Sequence, residues 1–263
     1  MTADQWWEPI RVGNDKRDGG VQPAAMAVAS PLPVSAAPGD QRSASADERR
    51  TNRARIAGLY LITPDSEETG PLLRQVDAAL AAGARLLQYR NKTASAALRR
   101  EQVGELLARC RATDALLVVN DDWQLGLDLG AAAIHLGRDD GDVARVRREA
   151  GDDVLIGVSC YASIERAQAL APDADYLAFG AMFVSATKPQ APAAPLAILR
   201  EARRFGLPVV AIGGIDRRTL PAVLASGADA GALINAVFGA EDVGAATREL
   251  LALAARVERV GAD

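Results

Sequence analysis

A chain of 263 residues with 49% hydrophobic content has apolar area for one large α/β domain or two small ones and reads as globular. Its net charge of −4 at neutral pH excludes a global basic field for nucleic acid or an anionic membrane, while a local basic pocket for small anions stays open. The two cysteines, Cys110 and Cys160, belong to no Cys-x-x-Cys or Cys/His cluster, which points to a reducing cytoplasm and away from a zinc site.

Residues 1–54 come first in chain order. They show no hydrophobic period and are dominated by Pro, Ala, Ser, Asp and Arg. Their apolar area is too small to offset the entropy of ordering, so a disordered N-terminal extension is expected. Trp6 and Trp7 leave a partner-binding tail open beside a plain flexible one. The uncharged stretch from Gly19 to Gly39 is broken by Pro23, Pro31, Pro33 and Pro38, so it should not span a bilayer. It also lacks the basic flank of a signal peptide.

Residues 55–263 read as one domain in which short apolar runs alternate with Ala/Leu-rich segments at helical spacing. The runs are Gly58 to Thr63, Ala84 to Tyr89, Ala115 to Val119, Ala132 to Leu136, Val154 to Val158, Tyr176 to Gly180, Pro208 to Ile212 and Ala230 to Ile234. Between or after them lie Leu72 to Ala82, Ala96 to Arg111, Val143 to Glu149, Ile164 to Leu170, Ala193 to Phe205, Arg217 to Ala225 and Val243 to Val257. Eight βα units predict an α/β fold, a single (β/α)8 TIM barrel. A doubly wound open sheet is the rival, but no Gly-x-Gly-x-x-Gly turn follows the first run.

Barrel enzymes work where strands end, so the polar residues just past each run are the candidates. These are Gln88, Arg90 and Lys92 after the second run, then Asn120 and Asp121, then His135 and Asp140. Ser159 ends the fifth, Ser185, Thr187 and Lys188 follow the sixth, Gly213 and Gly214 the seventh, and Asn235 the eighth. Of the 30 basic residues only Lys16, Lys92 and Lys188 are lysine. Two of three lysines at strand ends suit compact point charges for phosphate oxygens. Asp121 and Asp140 are able to share Mg²⁺, although each equally fits a turn or a helix cap. Gly213-Gly214 with Ile234-Asn235 fits either a phosphate site of backbone N–H groups or a tight turn. His135, the single histidine, reads as a hydrogen-bonded structural residue.

Taken together, these motifs resemble the thiamine phosphate synthase family. The likeness runs from about Gly58 to Phe238 and is carried by Gly58-Leu-Tyr-Leu-Ile-Thr-Pro-Asp65, Gln88-x-Arg90-x-Lys92, Asn120-Asp121, His135-Leu136-Gly137 leading to Asp140, Ile156-Gly157-Val158-Ser159, Thr187-Lys188 and Ala211-Ile212-Gly213-Gly214-Ile215. The resemblance implies condensation of hydroxymethylpyrimidine diphosphate with thiazole phosphate, with Mg²⁺ as cofactor and small molecules as the partners. By position it implies that Gln88 and Asn120 hold the pyrimidine and that Asp121 and Asp140 ligate Mg²⁺. Arg90, Lys92, Thr187 and Lys188 would bind pyrophosphate, with Ser159 facing both groups and Ser185 also substrate-binding, and Gly214, Ile234 and Asn235 would bind thiazole phosphate. Arg90, Lys92, Ser159 and Lys188 are the catalytic set. A homo-oligomer remains open. Arg138, Ser185 and Asn235 stand where the family usually has glutamine, threonine and serine. A related tautomerase of the same barrel uses a histidine in a Ser-x-His setting that here reads Ser159-Cys160-Tyr161.

Overall fold

The computed structural model describes residues 47–183 and 194–257. Eight parallel strands, β1 (Gly58–Ile62), β2 (Leu86–Tyr89), β3 (Leu116–Asn120), β4 (Ala133–Leu136), β5 (Leu155–Tyr161), β6 (Tyr176–Phe179), β7 (Val209–Ile212) and β8 (Ala230–Leu233), close in sequence order into a barrel. Each expected apolar run holds or overlaps one of them, with β3 running one residue and β5 three residues past the expected end. Closure is made by β1 against β8, with Gly58 opposite Ala230 and Leu61 opposite Leu233.

The alternation along each strand sorts side chains between two cores. Tyr60, Ile62, Leu86, Leu116, Val118, Ala133, Leu155, Tyr176, Val210 and Ala230 fill the barrel interior. Their neighbours Leu59, Leu61, Leu87, Leu117, Ile134, Ile156, Leu177 and Val209 face outward beneath the helices. The same parity turns Gln88, His135 and Ser159 into the barrel, because each lies an even number of residues from an inward-facing one on its strand.

The surrounding helices are α1 (residues 47–54), α2 (Thr69–Ala81), α3 (Ala96–Ala112), α4 (Trp123–Asp128), α5 (Val143–Ala150), α6 (Ile164–Leu170), α7 (Ala197–Ala202), α8 (Leu220–Ala225), α9 (Asn235–Phe238) and α10 (Val243–Ala255). Ser95, Asp122, Asp142, Ser163 and Asp242 cap five of them, each accepting from the backbone N–H three residues on. Such caps hold a helix start at about 1 kcal/mol each. The short α4 and α9, of six and four residues, were not expected from periodicity. Among the described residues no helix is long and apolar enough to cross a membrane.

The expected disordered extension falls mostly on residues 1–46, outside the described residues. Its last part differs from expectation, because residues 47–54 are helical. Arg49 donates to Asp175 at 2.7 Å, Arg53 to the Gly206 carbonyl at 2.6 Å and Arg55 to the Asp114 carboxylate at 3.0 Å. All three acceptors precede strands, so α1 docks on the N-terminal end of the barrel. Ile56 follows it into the inner core, only 1% exposed. A stretch rich in arginine looks unfoldable until its partners, distant in sequence, are in place.

Candidate active site

At the C-terminal end of β2, Gln88 is buried and its Nε2 donates to the hydroxyl of Tyr60 at 2.8 Å. The chain then turns outward, and Thr63 holds the turn by accepting from the Arg90 N–H at 2.9 Å and donating to the Arg90 carbonyl at 3.1 Å. Asp65 spans Arg90 and Lys92. It accepts from Arg90 Nη1 on both oxygens at 3.1 Å and from the Lys92 backbone N–H at 2.7 Å. Beneath the loop Asn91 donates to the Ser66 carbonyl, and its Oδ1 accepts from the backbone N–H groups of Thr93 and Ala94. The two cations are thus anchored by a loop whose own polar groups are satisfied.

Asp121 follows β3 with φ 63°, a left-handed conformation that aspartate tolerates better than most side chains. Its N–H donates to the His135 carbonyl at 2.9 Å, continuing the β3–β4 ladder in which Asn120 lies opposite His135. Lys92 Nζ stands 3.5 Å from Asp121 Oδ2. From the β4 loop, Asp140 Oδ2 accepts from the Gly137 N–H at 2.6 Å. A Cβ on Gly137 would stand 2.8 Å from Asp140 Oδ2 and 4.0 Å from Asp121 Oδ1, so both carboxylates flank one point. Burial, then the neighbouring Asp140 carboxyl, raises the pKa of Asp121 above its ordinary value, and Lys92 opposes the rise. Two acids pressed together beside a lysine form a site that favours added positive charge. Among the described residues no group of three or more His, Cys, Asp or Glu is placed to hold a metal ion by itself. Two carboxylates are nonetheless the complement Mg²⁺ commonly takes, with water and phosphate oxygens completing its shell.

Deeper in the barrel Ser159 Oγ meets His135 Nε2 at 2.9 Å, and His135 Nδ1 meets the Tyr176 hydroxyl at 3.0 Å. Burial lowers the His135 pKa to about 4, so the ring is neutral at physiological pH. The structural reading of this histidine, a hydrogen-bonded residue at a strand end, is what the structure contains. The ring of Tyr176 lies where a side chain at position 157 would project, and a Cβ there would sit 1.9 Å from Tyr176 Cζ. Gly157→Ala is expected to cost about 3 kcal/mol of stability through overpacking, read as a lower denaturant midpoint with unchanged slope.

Ser159 also belongs to a neighbourhood missed from the sequence. Arg166 Nε donates to its carbonyl at 2.8 Å, and the exposed Tyr161, with φ 55°, carries Arg138 over its ring at 4.6 Å to the centroid. Asp65, Asn91, Tyr60 and Tyr176 were missed as well. Asp65 ends the first motif, and the two tyrosines share inward parity with Gln88 and Ser159, so parity was the available signal.

After β7, the loop of Gly213 (φ 102°) and Gly214 (φ 63°) is packed against residues 181–183, where a Cβ on Gly214 would lie 2.8 Å from Phe183 Cβ. Glycine is needed here for the close approach itself. Ile234 and Asn235 begin α9 at the end of the adjacent β8. Ser185, Thr187 and Lys188 lie outside the described residues.

A cavity of about 220 Å³ opens beside Lys92, Asn120 and Asp121. A larger one, about 660 Å³, lies at the opposite end, bordered by Arg49, Arg53 and Asp175. Its arginines already have partners in Asp175 and the Gly206 carbonyl, and barrel chemistry sits at the other face. Size is therefore a poor guide here; the smaller cavity touches the candidate site at Lys92, Asn120 and Asp121 and otherwise runs outward past Tyr89, Arg99 and Leu125.

Residues 59–237 match the family model described as thiamine monophosphate synthase. The chain belongs to the thiamine monophosphate synthase family. It is accordingly an enzyme of the transferase class. Among this family's curated members, thiamine-phosphate synthase of Chromobacterium violaceum is 50% identical over 197 residues, covering 74% of this chain and 95% of the relative. The protein of the same name from Halorhodospira halophila is 46% identical over 204 residues, covering 76% and 95%. A solved family structure, thiamine phosphate pyrophosphorylase from Pyrococcus furiosus, superposes with a TM-score of 0.70 at 34% identity, covering 80% of this chain and 100% of the other.

Proposed function

We propose that the enzyme joins 4-amino-5-hydroxymethyl-2-methylpyrimidine diphosphate to 4-methyl-5-(2-phosphoethyl)thiazole, giving thiamine phosphate and pyrophosphate. The observation that carries this reading is the meeting of Asp121 and Asp140 beside Gly137, with Lys92 3.5 Å from Asp121, past the ends of β2, β3 and β4 at the C-terminal face of the barrel. Diphosphate leaving a benzylic-type carbon leaves a pyrimidine cation and a concentrated anion. Fixed positive charge on the leaving group is then worth more than a base. The thiazole nitrogen already carries the lone pair that attacks.

In this reading Gln88 and Asn120 orient the pyrimidine, and Arg90 and Lys92, held by Asp65, grip the diphosphate with Ser159, Ser185, Thr187 and Lys188. Asp121 and Asp140 would hold Mg²⁺, which when bound neutralises charge on the diphosphate oxygens. Gly214, Ile234 and Asn235 take the thiazole phosphate on backbone N–H groups at the ends of β7 and β8. Arg90, Lys92, Ser159 and Lys188 are the catalytic residues.

The test mixes purified protein with both heterocycles and Mg²⁺. Pyrophosphate release that requires both substrates is the expected result, and binding without turnover would overturn the reading. Lys188→Ala is expected to lose turnover with native circular dichroism, and a variant working at the parental rate would remove Lys188 from the catalytic set.

A further inference from the structure

We propose that Tyr60, Tyr176 and His135 form a one-directional chain of hydrogen bonds that dictates which atoms Gln88 and Ser159 present to the substrate, an amide oxygen at one end and a hydroxyl hydrogen at the other. The inference rests on the reading above and deepens it by naming positioning residues for that site.

The chain crosses the barrel from β2 to β5. Gln88 Nε2 lies 2.8 Å from the Tyr60 hydroxyl, which lies 2.9 Å from that of Tyr176. Tyr176 lies 3.0 Å from His135 Nδ1, and His135 Nε2 lies 2.9 Å from Ser159 Oγ. Gln88, Tyr60, Tyr176 and His135 are 4%, 1%, 0% and 7% exposed, so bulk water does not substitute for a missing partner. The Tyr176 ring is stacked on His135 at 5.5 Å and edge-on to Tyr60 at 6.2 Å, which holds the oxygens in line.

Counting hydrogens gives the direction. An amide nitrogen only donates, so Gln88 Nε2 donates to Tyr60 and leaves its Oε1 free. The single hydrogen of Tyr60 then goes to the Tyr176 oxygen, and that of Tyr176 goes to His135 Nδ1. With Nδ1 accepting, the one ring hydrogen of neutral imidazole is on Nε2 and points at Ser159 Oγ. The Ser159 hydrogen is left to turn outward. An imidazolium breaks the sequence, because Nδ1–H would face Tyr176, the hydrogens of both tyrosines would be pushed toward Gln88, and one buried hydrogen would find no acceptor. Such an orphan is costly.

The two ends suit the two halves of the proposed pyrimidine diphosphate. Gln88 Oε1 accepts from the exocyclic amine, and the Ser159 hydroxyl donates to an anionic diphosphate oxygen. Reversing every bond would offer that anion a lone pair instead.

His135 is the single histidine, so its imidazole ¹⁵N signals need no assignment. Long-range ¹H–¹⁵N spectra of the full-length, substrate-free protein at neutral pH are expected to show the Nε2–H tautomer. The Nδ1–H tautomer there would overturn the proposal. Tyr176→Phe keeps the ring and removes the link. It is expected to give a mixture of tautomers, with kcat/KM for the pyrimidine diphosphate lowered about tenfold, the scale of one hydrogen bond, and KM for the thiazole phosphate unchanged. Tyr60→Phe cuts the chain at Gln88 instead: the Tyr176 hydrogen still goes to His135 Nδ1, so the Nε2–H tautomer should persist, while Gln88 loses its acceptor and kcat/KM for the pyrimidine diphosphate falls on the same scale, which covers failure of Tyr176→Phe to fold. A purely structural role would lower the unfolding midpoint, leave the tautomer of Tyr176→Phe as in the parent and leave kcat/KM of both folded variants parental, and that result would also overturn the proposal. Should the parent release no pyrophosphate, the functional reading fails while the tautomer measurement still judges the chain.

Discussion

Asp121→Asn is expected to lower the rate of pyrophosphate release on the order of 10²- to 10³-fold without weakening the fold. Asparagine is the substitution of choice because position 121 has φ 63°, where alanine would add about 1–2 kcal/mol of backbone strain. The loss of rate follows from removing one of two carboxylates that flank Gly137 and would position Mg²⁺ on the leaving group, an electrostatic contribution of that size. The stability effect has the opposite sign. Burial and Asp140 raise the Asp121 pKa above its unfolded value, so the stability linked to its protonated form is complete below the unfolded pKa. It is lost as pH rises through the folded one. The substituted amide cannot ionise, so the ligand-free variant should melt at or above the parental temperature near pH 7, with the gap closing in acid. Added Mg²⁺ should raise the parental midpoint and leave the variant unmoved. Parental turnover in Asp121→Asn would remove this residue from the site.

Asp175→Ala is expected to show the largest loss of stability, about 3–5 kcal/mol, the scale of breaking a buried ion pair by deleting one partner. The carboxylate is 1% exposed. It accepts from Arg49 Nε at 2.7 Å, from Arg147 Nη2, and from the Ile156 backbone N–H at 2.9 Å. Burial already lowers the Arg147 pKa and Asp175 is its principal support, so alanine leaves a desolvated cation without its counter-charge. The same change unties α1 from the barrel floor. Asp175→Asn should recover part of the loss by still accepting from Ile156. Urea denaturation checks both variants, and a change under about 1 kcal/mol would contradict the account. Because Asp175 lies at the opposite end from Asp121, turnover below the melting range should be near parental, which separates fold from chemistry.

Much of the site was readable because catalytic barrel residues follow strands. Arg90, Asn120, Asp121 and Ser159 were found one or two positions past an apolar run and Lys92 three positions past, with Gln88 next to the end of its run. Asp65 escaped because it follows a proline turn, where an aspartate ordinarily caps or bends the chain. Only the folded loop shows it holding Arg90 and Lys92. Tyr60 and Tyr176 read as core aromatics, which they also are. Helix α1 escaped because composition measures local apolar content, whereas this helix is held by ion pairs to distant strand starts.

Local periodicity in the sequence was sufficient for the eight strands, their order and the longer helices, since apolar runs and a period near 3.6 are properties of neighbouring positions; it did not give the inward face of each strand, because strands buried on both sides read as continuous apolar runs. That the two acids meet was decided by tertiary structure. The sequence named Asp121 and Asp140 as able to share a cation but left a turn or cap open for each, and the fold shows Asp122 and Asp142 capping helices while Asp121 and Asp140 flank one point. The pairing of Asn120 with His135 sets the β3 and β4 loops side by side, and a register between strands is a relation no single segment contains.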